Sequence, residues 1–386
     1  MAERKKIAIL LSRFPYPLDK GDKLRAYHQI KYLSKFHDIY LYTLCSQPVK
    51  QNELDELNLF CKDIHTFQLN KLDILLQTFL CFVRGIPVQV GYFFSPSINK
   101  KISASIIKLK PDTVYCQLSR TAFYGKDLPF KKVIDLQDAF STNYERIQNN
   151  YSGLLKYFYK RESQCMKAFE MKMTTWFDET TIISEFDKDK IKVIPNRIAV
   201  VSNGVDTNYF KPDKRVKTSD ILFCGNLAYL PNKNAVKFLL EKIAPNLIST
   251  NPHIRIAVIG SNGEDFKKYE SDHIHIHGWI NDIREAYASS KIFVAPLFTG
   301  AGLQNKLLEA MSMGLPCITT SITNASLMGV EDKHLLIAND VNEFVEKIRV
   351  LLDHENMQNE ISTQARIFVE ENFCWDKVNE KLLKLL

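Results

Sequence analysis

Short β-branched or apolar runs alternate along this chain with longer segments whose apolar residues recur at helical spacing, the pattern of βαβ units and parallel sheets. A first series of runs predicts strands at Ile7–Leu11, Ile39–Leu44, Thr113–Cys116, Val133–Leu136, Thr180–Ser184 and Ile198–Ser202. A second series predicts strands at Ile221–Cys224, Ile254–Ile259, Ile274–Gly278, Ile292–Pro296, Cys317–Thr320 and Leu335–Ile337, with helical stretches such as Asn234–Leu247 and Val341–Asp353 between them. Asn203-Gly204-Val205-Asp206 and the following Tyr209-Phe210-Lys211-Pro212-Asp213-Lys214 are polar and turn-rich, and read as a linker where a cleft opens. The expected fold class is therefore α/β, with two doubly wound Rossmann-like domains facing across a cleft. The domains are 1–202, completed by a C-terminal helix at 370–386, and 217–369, joined by 203–216. In such sheets ligands lie beyond the carboxyl ends of the strands, so the residues just after each strand carry the information.

The length of 386 residues, 45% of them hydrophobic, supplies enough apolar material for two ordinary α/β cores. Met1 to Lys6 run directly into the first strand with no signal-peptide pattern, so export is not expected. The longest apolar stretch, Leu72 to Phe94, is interrupted by Gln77, Arg84, Gly85 and Pro87 and falls short of the about 20 residues of a spanning helix. Its first part, Leu72–Val83, reads either as an ordinary buried helix or as one lying on a membrane surface. Eight dispersed cysteines with no Cys-x-x-Cys read as reduced thiols, mostly in the core, and provide no metal-ligand spacing.

Charge is unevenly spread. Residues 1–195 hold 30 Lys and Arg against 21 Asp and Glu, whereas 196–386 hold 21 against 23. The basic half either meets an anionic partner or is simply a solvated, lysine-rich surface.

The densest chemical signal is Pro296-Leu-Phe-Thr-Gly-Ala-Gly-Leu-Gln-Asn-Lys-Leu-Leu-Glu309-Ala-Met-Ser-Met-Gly314-Leu-Pro316. A strand ends at Pro296, Gly300 and Gly302 allow close backbone approach, and a helix opens near Gln304 or Asn305. A helix start offers free N–H groups and a positive dipole end to a phosphate. Lys306 sits in that first turn, where a cation is unfavourable for the helix alone, and a phosphate partner explains it. Glu309 follows on the same face, placed to accept both hydroxyls of a ribose. The plainer reading is a loop that turns, with Lys306 and Glu309 as a surface i,i+3 pair.

This segment resembles the donor-binding motif of GT-B glycosyltransferases of family 4, a glutamate, seven residues and a second glutamate, followed by Ala-Met-Ala-x-Gly-x-Pro. Glu309 and the Ala-Met-Ser-Met-Gly-Leu-Pro run match it, while Ala301 stands where the first, sugar-contacting glutamate would be. The spacing resembles a branch of the family with a lysine in the diphosphate turn. The resemblance implies that Gly302, Leu303, Gln304, Asn305, Lys306 and Glu309 bind the donor. Val201-Ser-Asn-Gly-Val-Asp206 with Phe210 is similar to the family's inter-domain motif, and Cys224-Gly225-Asn226-Leu227 to the first loop of its second domain. There Asn226 replaces an arginine and Lys233 is the nearest cation for the diphosphate. In His277-Gly278-Trp279-Ile280 the resemblance puts Ile280 on the nucleobase, with Trp279 read as a packing residue.

In the first domain, Arg13 to Arg25 looks like the family's first βα loop, whose glycine, Gly21, lets the backbone approach the donor phosphate. Lys20, Lys23 and Arg25 raise the local potential, although Arg25 also reads as a helix-surface partner of Asp22. Asp138, just after Val133–Leu136, stands where relatives carry a residue facing the sugar, or else caps a helix. Ser184 reads as a helix cap. The terminal segment from Phe373 resembles the helix that crosses back onto the first domain, anchored by Trp375.

The resemblance implies a glycosyltransferase that moves a sugar from a nucleotide-diphosphate sugar to a glycan or lipid-linked acceptor, with Asp138 and Lys306 as catalytic residues, retention of configuration, and no cofactor or metal. No Asp-x-Asp occupies a cleft position, and cations with helix N-termini serve the leaving diphosphate. The protein is expected in the cytoplasm, in contact with the membrane through its basic half if at all, and without nucleic-acid partners. Two rivals are a sugar-nucleotide epimerase, which needs positioned acid and base groups, and an inactive GT-B-like binding subunit.

Overall fold

The computed structural model describes residues 4–149, 151–191, 198–299 and 302–386. The chain divides into two compact units, Met1–Ser202 with Val378–Leu386, and Asn203–Lys377. The residues read as a linker, 203–216, group with the second unit, and the return to the first falls at Val378, inside the last helix Trp375–Leu385, rather than at 370.

The first unit is built on a parallel sheet of seven strands: β1 (Lys6–Leu11), β2 (Asp38–Cys45), β3 (Cys61–Gln68), β4 (Thr113–Gln117), β5 (Lys131–Asp135), β6 (Glu179–Ile182) and β7 (Ile198–Val200). Their spatial order is β3-β2-β1-β4-β5-β6-β7, so the order reverses between β1 and β4. β1 is apolar from Ile7 to Leu11 because both faces of the sheet are covered, one by a core around Leu10, Val114, Ile134 and Met173 and the other by a core around Ile9, Ile30, Tyr115 and Leu382. β3 escapes the periodicity reading because it is an edge strand, with Lys62 and Asp63 exposed and His65 half-buried.

The second unit carries a six-stranded parallel sheet: β8 (Ser219–Cys224), β9 (Ile256–Ile259), β10 (Ile274–His277), β11 (Ser290–Ala295), β12 (Cys317–Thr319) and β13 (Leu336–Ile337). Its order is β10-β9-β8-β11-β12-β13, with the reversal between β8 and β11. The helix expected at Asn234–Leu247 is instead Leu230–Phe238, a five-residue π segment Leu239–Ile243 and Ala244–Ile248. Pro245 lacks the N–H that would continue the α pattern, and the wider turn absorbs the break.

One expectation fails in the first unit. Helix Lys71–Val83 is not a buried helix: only Cys81 on it is buried. Among the described residues no helix is long and apolar enough to cross a membrane. All eight cysteines are free thiols, five of them buried.

Candidate functional site

Two loops meet at the strand-order reversal of the second sheet. The loop after β8 starts at Gly225, whose φ of +153° and surroundings both require glycine: a Cβ there would stand 2.8 Å from Asn232 Nδ2 and 3.2 Å from Lys306 Nζ. The loop after β11 leads through Gly302, at φ +75°, to helix Asn305–Ser312 with Gln304 in extended conformation at its N-cap. Gly300 and Ala301 lie outside the described residues. The helix therefore starts where the sequence places it, with its first N–H groups at the sheet's carboxyl edge.

Lys306 and Glu309 are half-buried in this corner. They do not form the surface pair that their spacing allows. The Lys306 amine donates to Asn232 Oδ1 and lies 5.3 Å from the centre of the Phe223 ring. Glu309 Oε2 accepts a hydrogen bond from the Tyr287 hydroxyl at 2.9 Å, and Cys224 Sγ lies 3.0 Å from the same hydroxyl. Burial lowers the Lys306 pKa to about 8, with Cys224 and Glu309 opposing the drop. Burial likewise raises that of Glu309, against the Tyr287 hydrogen bond and Lys306. A lysine held with so little countercharge is poised for an anion, and Glu309 retains an acceptor oxygen for a hydroxyl ligand.

The remaining predicted residues of this unit divide. Leu303 is buried and packs beneath the helix start, and Asn305 Oδ1 accepts from Asn203 Nδ2 at 3.4 Å. Asn226 shapes the β8 loop: its side-chain oxygen accepts from the Ala228 amide at 2.9 Å and its carbonyl from Asn232 Nδ2 at 2.8 Å. Lys233 is turned to the surface in an ion pair with Asp265, so the residue that reaches Lys306 is its neighbour Asn232. Ile280 is half-buried in the loop after β10. Trp279 is 75% exposed rather than packed. Sequence reading missed Asn232 and Tyr287. A helix-borne asparagine and a helical tyrosine have no local signature, and both become visible only when β8 and β11 are neighbours.

In the first unit, Asp138 follows β5 directly after Gln137, whose φ of +61° is rare outside glycine and asparagine. No hydrogen bond from the described residues reaches the Asp138 carboxylate. Burial and the negative charge of Asp187 raise its pKa to about 7, against the pull of Arg25. Asp187 itself accepts from Ser184 Oγ at 2.5 Å, and the same Ser184 oxygen caps helix Glu185–Lys188. Asp138 is thus a partly accessible, unpartnered carboxylate at the end of a strand and is not a helix cap.

Gly21 opens helix Gly21–Leu33, and a Cβ there would meet nothing within 4 Å. Packing does not require this glycine. Arg25 is neither a surface partner of Asp22 nor a cation offered to a ligand: it is 1% exposed, bonded to Asp135 at 2.6 and 3.1 Å and to the carbonyls of Val201 and Ser202 at 2.8 Å each. Asp22 pairs instead with Arg13 at 2.8 Å. Beyond β1 and β2 lies an open cavity of about 470 Å³ lined by Arg13, Lys20, Lys23, Lys50 and a single acid, Glu53, with Tyr92 and Phe93 on its wall.

Two doubly wound sheets, one carrying a lysine and a glutamate at a helix start beside its reversal point, define an α/β protein of the Rossmann type. Residues 218–354 match the family model of glycosyl transferases group 1. Over 400 residues the chain is 26% identical to an uncharacterized 44.6 kDa protein in the cps region of Klebsiella pneumoniae, covering 98% of this chain and 99% of that one. It is 29% identical over 239 residues to the UDP-Gal:alpha-D-GlcNAc-diphosphoundecaprenol alpha-1,3-galactosyltransferase of Escherichia coli, covering 53% of this chain and 59% of that enzyme. Among solved structures, HepE of Anabaena in complex with UDP superposes with a TM-score of 0.72 at 12% identity over 98% of each chain, a likeness of fold. The chain is a GT-B-fold glycosyltransferase, with the group 1 family model matched by residues 218–354 of its second unit.

Proposed function

We propose that this enzyme transfers a sugar from a UDP-sugar, held in the second unit, to a glycan or lipid-linked acceptor, with retention of configuration and without a resident metal. The observation that carries this reading is the corner formed by Gly225, Asn232, Tyr287, Lys306 and Glu309. Glu309, aimed by Tyr287, accepts the ribose hydroxyls. The start of helix Asn305–Ser312, from Gly302 to Asn305, donates its amides to the diphosphate, and the Lys306 ammonium stabilises the negative charge that grows on it as the sugar leaves. That positive charge serves the role a divalent cation would otherwise fill. Ile280 lies against the base.

The choice of UDP draws on the relatives, one of which bears UDP-Gal in its name and one of which binds UDP. On the acceptor side, the four cations of the cavity beyond β1 and β2 suit an acceptor that carries phosphate. Asp138, a partly accessible carboxylate at the end of its strand, takes a sugar hydroxyl.

The test is a panel of UDP, GDP, ADP and dTDP in thermal shift, followed by donor hydrolysis with UDP-sugars in the presence and absence of a chelator. UDP is expected to raise the melting temperature by mass action, and hydrolysis is expected to survive chelation. No stabilisation by any of the four, in a protein whose Glu309→Ala variant behaves identically, overturns the donor assignment.

A further inference from the structure

Helix Lys71–Val83 is amphipathic in the wrong sense for a globular protein. Its apolar residues Leu72, Leu75, Leu76, Phe79, Phe82 and Val83 recur at helical spacing and all are exposed, Phe79 by 61% and Leu75 by 72%. The opposite side, with Gln77 and Cys81, is the side that packs. It receives helix Val88–Phe93, where a Cβ on Gly91 would stand 2.5 Å from the Gln77 carbonyl oxygen. The apolar stripe is therefore the free face of a helix already fixed to its own unit.

The start of helix Gly153–Met173 extends this face. The Arg161 guanidinium lies 4.1 Å from the centre of the Phe82 ring and donates to the Phe82 carbonyl, which joins the two helices. Tyr157 and Leu154 precede Arg161 by four and seven residues and so lie on the same side of their helix. Leu154 is 88% exposed. A contiguous apolar patch of this kind marks an interaction surface.

The charges around it select the partner. On segments 71–84 and 151–162 the exposed charged side chains are Lys71, Arg84, Lys156 and Lys160. The two acids are engaged elsewhere: Asp73 accepts from Ser95 Oγ at 2.6 Å, and Glu162 is buried, accepting from the Val88 amide at 2.8 Å and from Arg161. An apolar stripe bordered by cations alone, with tyrosines near its margin, matches the interface of an anionic bilayer, where aliphatic groups enter the acyl boundary and lysines meet headgroups. A second copy of the same face would bring these four cations against each other.

We propose that the apolar face of helix Lys71–Val83 and the first turns of helix Gly153–Met173 dock this glycosyltransferase onto anionic membrane surfaces. The docking is reversible and interfacial, since a helix of 13 residues is about 20 Å long and lies in the surface without crossing it. The donor corner is in the other unit, so the two readings stand or fall separately.

The experiment is vesicle flotation of the full chain with phosphatidylcholine alone and with phosphatidylcholine containing about one third phosphatidylglycerol. The wild type is expected to float with the anionic vesicles and to be released by high salt. Leu75→Ser combined with Phe79→Ser is expected to weaken partitioning by about tenfold or more. Lys156→Glu combined with Lys160→Glu is expected to abolish the preference for anionic lipid. Melting curves and UDP binding of both variants should match the wild type. The proposal is overturned by absence of flotation, by flotation that the Leu75 and Phe79 changes leave intact, or by light scattering that shows a dimer which those changes dissociate.

Discussion

The hydroxyl of Tyr287 donates to Glu309 across 2.9 Å, although the two residues belong to different helices and are 22 positions apart. Tyr287 is fully buried, and its ring stands 5.8 Å from that of Phe293 in β11, so it has little freedom to aim elsewhere. The tyrosine thereby fixes which oxygen of Glu309 stays available.

Glu309→Gln is expected to weaken UDP binding by about ten- to a hundredfold, the scale of hydrogen bonds to a charged group. Tyr287→Phe keeps the carboxylate and loses only its orientation, so its loss should be smaller. Isothermal titration with UDP and with uracil alone checks this, since uracil affinity should not respond to either change.

Lys306 has a pKa of about 8 in the free protein, and an anion binds its protonated form. UDP affinity should decline by up to about tenfold per pH unit above 8. In Lys306→Met the affinity should be lower throughout and the decline absent.

Gly225 and Gly21 make opposite demands. At Gly225 a methyl group meets Asn232 and Lys306, so Gly225→Ala should both lower the melting temperature and impair UDP binding. At Gly21 nothing is met, so Gly21→Ala should melt like the wild type, and any loss of transfer rate reports a ligand that approaches there.

Arg25 and Asp135 form a fully buried pair. Arg25→Met leaves Asp135 charged and uncompensated and is expected to cost about 3–5 kcal/mol in chemical denaturation. Arg25→Lys should recover only part of it, because an ammonium cannot bond Asp135 twice while also serving the carbonyls of Val201 and Ser202.

Burial holds Glu170 and Asp138 at pKa values of about 7, well above those of the unfolded chain. Between about pH 4 and 7 the folded state therefore binds protons that the unfolded state has released, and stability falls as pH rises through that window. Glu170→Gln combined with Asp138→Asn should flatten the dependence of the melting temperature on pH in that range.

Much of the fold is legible in the sequence because strands buried on both faces write themselves as unbroken apolar runs, as Ile7–Leu11 and Ile221–Cys224 do. Cys61–Gln68 is illegible for the converse reason, since an edge strand needs no such run. Helix Lys71–Val83 shows the limit of the same rule: its apolar stripe reads as a core face, yet the stripe is exposed. In the donor corner Glu309, Lys306 and the helix start are readable from local spacing. Asn232 and Tyr287 are not, because their roles arise from strand order. Arg25 illustrates a different failure, since an arginine at a helix start reads as a surface cation until Asp135, 110 residues away, is placed beside it.

The second unit is one continuous span, Asn203–Lys377, whose two ends are fastened to each other within the unit. The Val205 amide donates to the Phe373 carbonyl at 2.8 Å, and Gly204 lies so close under the Trp375 ring that a Cβ would stand 2.7 Å from it. The span is thus an insertion closed at its neck, and every residue of the donor corner lies inside it. The corner proposed to read the nucleotide is in this sense a portable cassette: the host portion of the chain, which carries the proposed acceptor and membrane faces, is free to change without rewriting it.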